Sequence, residues 1–343
     1  MKTVLTFRVH WQRSLVLFLG LLLPVVALAG HPGTVPDMPQ MPAGNEPVLP
    51  LPPPPVVDPL KLELGRRLFY DPILSADGAV ACVSCHDLAD NGAQRVARPV
   101  VRPGQRHLVN APTVFNASLN AFQFWDGRAG SLEEQIDSVV RGELEFATSW
   151  PELVARLKAR EDYVQAFQRV YADGITPANV RDAIASFERT LLTPGSRFDR
   201  YLRGDEAALS AEEKQGYQLF KDYGCTACHQ GVNLGGNLFQ RLGIFGDFFA
   251  ARDEISSADL GRFTLTGREQ DRHVFRVPSL RNVAVTAPYF HDGSVTDLKQ
   301  AVRLVARYQL GRIIPERDLS RILAFLKTLT GSYEGRPLDG KRR

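Results

Sequence analysis

Two five-residue frames with the same Cys-x-x-Cys-His pattern hold all four cysteines of this 343-residue chain and constrain its fold more than any other feature. Residues 82–86 read Cys-Val-Ser-Cys-His, and residues 225–229 read Cys-Thr-Ala-Cys-His. C-x-x-C-H is the pattern of covalent haem attachment, in which both thiols add to the haem vinyl groups and the histidine reaches the iron. The sequence therefore predicts two haem c groups. Their predicted binding residues are Cys82, Cys85, His86, Cys225, Cys228 and His229, with His86 and His229 as iron ligands.

Two other uses of these cysteines are weaker. Four cysteines in an exported chain form two disulfides in many proteins, but that reading leaves the two adjacent histidines as a coincidence. A zinc site with two cysteines and two histidines is weaker still, because the two frames lie 143 residues apart. Haem attachment is the reading that uses all six residues.

Residues 1–29 are typical of a secretory signal peptide. Three basic residues precede an apolar run over residues 14–26, and Ala27-Leu28-Ala29 fits the cleavage pattern. An uncleaved membrane helix is the alternative, although the run is short for a bilayer. Without this segment the chain has 38 basic and 38 acidic residues, so its charge does not indicate nucleic acid or an anionic membrane as a partner. We expect a periplasmic protein that begins near Gly30.

The remaining chain is expected to be helical after a proline-rich start. Residues 30–57 are dense in proline and predict an extended, solvated leader rather than a core element. From residue 58 onward, apolar residues recur at helical spacing, and capping patterns such as Ser149 with Glu152 precede several runs. Alternating strand patterns are scarce, so the predicted fold class is all-α.

An ungapped repeat at an offset of 166 residues predicts two related domains. Residues 112–116 match residues 278–282, and residues 124–127 match residues 290–293. Self-similarity of this kind indicates an internal duplication, here of a cytochrome-c-like haem domain. A polar turn near Gly204 sets the expected boundary. We expect an N-terminal haem domain at 58–204, a C-terminal haem domain at 205–335 and a basic tail at 336–343.

The two copies differ where chemistry is expected. Trp125 stands where the second copy has His291, and the first copy has Gln135 and Glu145 where the second has alanine and glycine. A carboxylate beside an open haem face can take a proton from peroxide and return it, and an amide can orient the peroxide. These residues predict peroxide chemistry in the first domain. A solvated loop position is the alternative for Glu145, and Glu143 is the next candidate base.

Together, these stretches resemble the bacterial di-haem cytochrome c peroxidase and MauG superfamily over residues 58–332. The most specific matches are residues 110–116, 124–129, 225–229, 277–282 and 287–293. The resemblance implies that the first haem is peroxidatic and that the second passes electrons to it.

The resemblance also assigns roles to individual positions. It implies that Trp125 lies between the haems and that Glu145 and Gln135 are the distal catalytic pair. It further implies a calcium ion at the domain interface, a hard cation that suits oxygen ligands. The implied ligands are the side chain of Asn110 and the backbone carbonyls of Thr286 and Pro288.

The chain departs from the family pattern at the second haem. All three methionines precede residue 42, so a histidine–methionine haem cannot be built within the second domain. The family's methionine position is Val305 here, and MauG proteins have tyrosine there. Tyr308, one helical turn away, and His291 are the expected sixth ligands, with His273 and Lys299 as other donors. Nitrogen or phenolate ligands favour ferric iron and lower the reduction potential.

A second departure concerns the first haem. Many peroxidases of this family rest with a distal histidine on the iron, and its ungapped equivalent here is Arg102. His107 lies nearby and is the other candidate, with a surface position as its alternative. If neither fills the site, the first haem is open at rest, as it is in MauG.

These observations predict an enzyme that reduces hydrogen peroxide to water at the His86 haem. Electrons would arrive through the His229 haem from a small periplasmic cytochrome c or cupredoxin. A MauG-like enzyme, which spends the oxidising equivalents on a partner protein, is one alternative. A di-haem electron carrier without peroxide chemistry is the other. A homodimer is left open.

Overall fold

The computed structural model describes residues 46–250 and 252–338 and consists mainly of helices. The α-helices in these ranges are α1 (Pro59–Tyr70), α2 (Cys82–Cys85), α3 (Leu132–Arg141), α4 (Trp150–Lys158), α5 (Glu161–Gln168), α6 (Pro177–Thr190), α7 (Arg197–Leu202), α8 (Ala211–Asp222), α9 (Phe263–Thr266), α10 (Leu298–Leu310) and α11 (Glu316–Lys327). The strands form three small antiparallel pairs: β1 (Val100–Arg102) with β2 (Gln105–Arg106), β3 (Phe239–Arg241) with β4 (Val274–Arg276), and β5 (Ser332–Tyr333) with β6 (Arg336–Pro337). The prediction of a helical fold is confirmed.

The predicted signal peptide and the leader up to residue 45 lie outside the described residues. Within the described ranges, no helix has both the length and the apolar character needed to span a bilayer.

A first core surrounds the crossing of α1 and α6. Asp58 starts α1 by accepting hydrogen bonds from the backbone N–H groups of Leu60 and Lys61, and the helix then buries Leu64 and Leu68. The two helices cross so closely at Gly65 that an added Cβ would lie 2.0 Å from the carbonyl oxygen of Ala183. Only glycine permits this approach.

A second core surrounds an equivalent crossing of α8 and α11. An added Cβ at Gly216 would lie 2.0 Å from the carbonyl oxygen of Arg321. Phe198 on α7 packs into this core, with ring centroids 5.0 Å from Phe325 and 4.8 Å from Tyr217. Phe198 thus belongs to the second core although it precedes the expected boundary near residue 204. The polar residues there form a turn after α7, and the change of core comes before α7.

The expectation of a solvated leader is wrong for its last described part. Val48 and Leu51 are 0% and 1% exposed and belong to the molecule's interior. Val48 forms a parallel bridge with Gly231, and the Leu51 backbone N–H donates to Asp199 at 3.0 Å. The many prolines suggested a solvated segment, but the burial of these two aliphatic side chains stabilises the packing of residues 48–51 on the protein. Residues 53–56 are exposed, as expected.

The end of the described chain is also packed. β5 and β6 form a hairpin that spans the expected boundary between domain and tail at residue 335. The Tyr333 ring lies 4.9 Å from the Phe115 ring, and Leu338 is 6% exposed in a cluster with Phe69 and Phe187 on the far side of α1 and α6. Residues 336–338 are thus structural, and residues 339–343 lie outside the described part.

Unusual backbone conformations recur at the offset of the sequence repeat. Asn116 and Asn282 both have φ of 62°, and Phe124 and Phe290 both have φ of 67°. Positive φ is uncommon for residues other than glycine, above all for large side chains. Isolated bridges recur too, between residues 123 and 129 and between residues 289 and 295. The repeated residues therefore build the same local structure twice.

Candidate haem sites and active site

The first C-x-x-C-H frame forms a single helical turn that ends at a buried imidazole. The Ser84 hydroxyl accepts a hydrogen bond from the Ala81 backbone N–H at 3.0 Å and starts α2. His86 Nδ1 is 3.2 Å from the carbonyl oxygen of Gly92, to which it donates. Nε2 is then the unprotonated nitrogen, as a metal ligand requires. Burial lowers the pKa of His86, which favours this neutral form.

The second frame repeats this arrangement. His229 Nδ1 donates to the carbonyl oxygen of Leu234 at 3.1 Å, and burial lowers the pKa of His229 to about 4. All four cysteines are free thiols rather than disulfides. Burial raises the pKa of Cys85 to about 11 and that of Cys225 to about 12, which keeps both protonated near neutral pH. Each frame thus offers two thiols and a ligand nitrogen.

One buried arginine supports the fit of haem to these sites. Arg276 on β4 is 3% exposed, yet its Nη1 has no hydrogen-bond partner among the described residues. Its Nε donates to the Phe124 carbonyl oxygen at 3.1 Å, beside Trp125. Burial lowers its pKa to about 10, so it remains charged near neutral pH. A buried cation without a counter-ion suits the carboxylate groups that haem carries. The sequence repeat gave no signal for this residue.

Glu145 lies in the turn that follows α3, on the side of the first frame. Its Oε1 is 2.9 Å from His107 Nε2, and both side chains are 21% exposed. An added Cβ at Gly142 would lie 1.8 Å from Glu145 Oε2, so the carboxylate uses the space that this glycine leaves. Its charge raises the pKa of Cys85, which places it near the first thiol pair. The pairing with His107 was not foreseen from the sequence.

The other two predicted catalytic residues occupy different places. Gln135 is half-buried on α3, the helix that leads into the Glu145 turn. Trp125 donates from Nε1 to the carbonyl oxygen of Asn110 at 2.9 Å. Its ring stands edge-on to His291, with centroids 6.5 Å apart.

The predicted calcium ligands come from both halves of the chain. Asn110 Nδ2 donates to the carbonyl oxygens of Val96 and Ala97 at 3.1 and 3.2 Å, which leaves Oδ1 uncommitted. Its backbone N–H donates to His291 at 2.7 Å. Among the described residues, no backbone N–H donates to the carbonyls of Thr286 and Pro288. Three oxygen acceptors without donors suit a hard cation.

His291 belongs to a buried polar cluster that sequence reasoning missed. Its Nε2 is 2.7 Å from Asp259 Oδ1. Arg252 donates to Asp259 and to Asp292, each at 2.6 Å. Asp259 and Arg252 lie in a stretch without a counterpart in the repeat, so the duplication could not reveal them. The only local signal was the capping pattern of Ser256 with Asp259. The Nε2 atom of His291 is therefore already engaged in a hydrogen bond with Asp259.

Tyr308 and Val305 lie on the same helix, α10. The Tyr308 ring packs edge-on against Phe248, with centroids 5.4 Å apart. Its hydroxyl has no hydrogen-bond partner among the described residues.

The sequence matches known peroxidases. The model of a family described as di-haem cytochrome c peroxidase matches residues 59–207. The chain is 46% identical to the cytochrome c peroxidase of Escherichia coli K12 over 84% of its length, and it spans only 62% of that longer protein. It is 42% identical to the cytochrome c551 peroxidase of Nitrosomonas europaea, covering 84% of this chain and 85% of the relative. It is 32% identical to the MauG protein of Methylophilus methylotrophus, covering 81% and 86%.

Solved structures agree with this relationship. A MauG-like protein associated with microbial copper homeostasis matches with a TM-score of 0.72 and 27% identity, over 90% of this chain and 99% of that one. The di-haem peroxidase BthA of Burkholderia thailandensis shares the fold, with a TM-score of 0.67 at 21% identity over 83% and 90% of the two chains. With its two C-x-x-C-H frames and these similarities, the chain belongs to the di-haem cytochrome c peroxidase family, in which its relatives include both peroxidases and MauG proteins.

Proposed function

We propose that this protein reduces hydrogen peroxide to water in the bacterial periplasm with two covalently bound haem c groups. One peroxide, two electrons and two protons give two molecules of water. The observation that carries the proposal is the part-buried Glu145 carboxylate, which is held 2.9 Å from His107 Nε2 and is close enough to the first C-x-x-C-H frame for its charge to raise the pKa of Cys85. A pure electron carrier has no use for a proton-transferring group there. The names of the relatives at 42% and 46% identity support it.

The chain supplies a complete set of groups to hold the haems. Each cysteine pair would form two thioether bonds, and the Nε2 atoms of His86 and His229 would bind the irons. Arg276 would neutralise a haem carboxylate at the place where its Nη1 is unpartnered. Bound there, the haems would supply the electrons that cleave the peroxide O–O bond.

Proton transfer falls to the first domain's own side chains. Glu145 takes the proton that peroxide releases and returns it to the departing oxygen, which leaves as water. Gln135 orients the peroxide through its amide. A hydrogen bond from His107 at 2.9 Å fixes the carboxylate for this exchange.

Electrons enter through the second domain from a small cytochrome c or cupredoxin. Trp125, next to Arg276 and Asn110, lies on the route between the two haem sites. Tyr308 is our preferred sixth ligand of the second iron, because its hydroxyl is unpartnered among the described residues while Nε2 of His291 is hydrogen-bonded to Asp259.

We also propose that the two haem domains arose by duplication, with the boundary before α7. The matched positive-φ residues and the two helix crossings at Gly65 and Gly216 support this origin. Calcium would join the domains through Asn110, Thr286 and Pro288. We also propose a homodimer, which a measurement of the oligomeric state in solution would test.

One observation favours a second candidate function. Val305 stands at the methionine position of the family's peroxidases, and no methionine follows residue 41. A haem without sulfur ligation accepts electrons from ordinary donors less readily. A MauG-like enzyme, which oxidises a residue of a partner protein, depends less on such a donor.

Intact mass and turnover together test the proposed function. Protein purified from the periplasm should begin near Gly30 and carry the mass of two haems, and it should consume peroxide when a reduced small cytochrome c is supplied. One haem or none would contradict the cofactor assignment. Two haems without peroxide consumption, with or without a donor, would leave the electron carrier as the function.

A further inference from the structure

The loop that carries His107 is a hairpin fastened to the Glu145 turn. β1 pairs with β2, and the His107 backbone N–H donates to the Pro99 carbonyl oxygen at 2.9 Å. Arg102 on β1 donates from Nη2 to the Glu145 carbonyl oxygen at 3.2 Å. Its Nε also donates to Asp77 at 2.5 Å. The hairpin therefore has little freedom to move relative to the catalytic turn.

The hydrogen bonds of His107 define its tautomer and leave neither ring nitrogen free. Nδ1 accepts from the Val109 backbone N–H at 3.3 Å, so in the neutral ring the proton is on Nε2. Nε2 then donates to Glu145 Oε1 at 2.9 Å. An iron ligand needs an unprotonated nitrogen with a free lone pair, and His107 has none in this arrangement.

Arg102 does not replace a histidine ligand either. It occupies the ungapped position of the family's distal histidine, but a guanidinium stays protonated and has no lone pair to give to a metal. Its contacts with Asp77 and with the backbone of the Glu145 turn account for its charge and for its donors. Where the family has an iron ligand, this chain therefore has an arginine that holds the hairpin against the Glu145 turn.

We propose that His107 is a positioning residue for Glu145, and that the first haem site is open to small ligands in the fully oxidised protein. The hairpin holds His107 on the carboxylate, so no ligand has to leave before peroxide enters. This inference rests on the proposed function for its purpose, but its ligand-binding consequences do not need peroxide turnover. Any weak acid that binds as its anion tests the same pair: hydrogen cyanide loses its proton to Glu145 and binds as cyanide.

The oxidised wild-type holoprotein provides the first test. Its EPR spectrum should contain a high-spin ferric signal that cyanide converts to a low-spin one. A first haem that is low-spin at rest, and that becomes high-spin in His107→Ala, would show that His107 binds the iron and would overturn the inference.

Cyanide-binding rates provide the second test. His107→Ala should bind cyanide on the order of 10- to 100-fold more slowly, because a displaced catalytic group costs this much, while His107→Gln keeps a donor and should retain most of the rate. Gln105→Ala, an exposed change on the same hairpin, is the control and should match the wild type. An unchanged rate in His107→Ala, or an equal loss in both variants, would overturn the positioning role. Normal cyanide behaviour without peroxide consumption would instead refute the proposed function alone.

Discussion

Two glutamates in one turn differ in what surrounds them. Glu143 is exposed, whereas Glu145 is half-buried and bonded to His107. The backbone carbonyls of both residues accept from Arg102, at 3.5 and 3.2 Å, so the turn is held as a unit. We therefore expect proton transfer at the first haem site to depend on Glu145 rather than on Glu143.

Replacement of Glu145 by glutamine should slow the reaction with peroxide by about 10²–10⁴-fold, the usual contribution of a general acid–base group. Stopped-flow absorption of the oxidised protein measures this rate. Glu143→Gln is the matched control and should react normally. A loss in the control with none in Glu145→Gln would move the base to Glu143.

Glu188 is a second carboxyl whose environment is unusual. It is 7% exposed on α6, and its Oε2 has no hydrogen-bond partner among the described residues. Burial, with repulsion from Glu133, raises the pKa of Glu188 to about 8 from a usual 4.5. The folded state therefore binds this proton more tightly than the unfolded chain does.

This difference predicts how stability changes with pH. Because the folded pKa is the higher one, the contribution of Glu188 is fully present below about pH 4.5 and is lost as the pH rises through about 8. Glu188→Gln should reduce the fall in melting temperature across this range. Glu63→Gln, an exposed change on α1, should leave the fall unchanged. A wild-type protein with equal stability at both ends of the range would contradict the prediction.

At the scale of helices, the packing depends on two close crossings. Gly65 brings α1 against the backbone of α6, and Gly216 brings α8 against that of α11. Each approach is too close for any side chain, so replacing either glycine would push its two helices apart.

Gly65→Ala should destabilise the protein by about 1–3 kcal/mol, the typical cost of overpacking a core. Chemical denaturation measures the change. Gly130→Ala is the control, because its added Cβ would approach only Glu134 Oε2, at 3.5 Å. If both variants unfold at the wild-type midpoint, the helices do not cross as described.

Local signals predicted elements well and non-local contacts poorly. Capping patterns such as Ser149 with Glu152 were expected to start helices, and Ser131, Ser149, Thr176 and Ser210 each cap one in the structure. The docking of Val48 and Leu51 was missed because their partners are far along the chain. The same holds for the site: spacing identified Glu145, but its bond to His107 depends on a hairpin that no periodicity revealed.

The two halves of the molecule meet around Asn110 and Trp125. Asn110 bonds to the backbone of His291, and Asn91 donates to the Val285 carbonyl oxygen at 2.8 Å. The proposed calcium ligands lie beside these contacts, so an ion there would hold the two haem sites at a fixed separation.

Chelation should therefore remove one calcium ion and lower both turnover and melting temperature, and added calcium should restore them. Elemental analysis before and after chelation measures the ion. Protein that contains no calcium to lose, and behaves identically after treatment, would contradict the site.

The second haem should lack the properties of histidine–methionine ligation. Its oxidised spectrum should show no sulfur-to-iron charge-transfer band, and its reduction potential should lie below the range usual for such haems. Val305→Met should introduce the band and raise the potential, whereas Tyr308→Phe should change the wild-type spectrum. A charge-transfer band in the wild type that survives removal of residues 30–45, which include Met38 and Met41, would refute this assignment.

Each end of the described chain packs on the core that is formed mainly by the other half of the chain. Val48 is buried in the second core, and Leu338 is buried on the first helix pair. During synthesis the first half of the chain is made before its last packing residues are available. The burial of the first helix pair is complete only when the whole chain is present. Cys82 of the first frame packs against the cluster that contains Leu338, so its surroundings are completed only by residues from the far end of the chain.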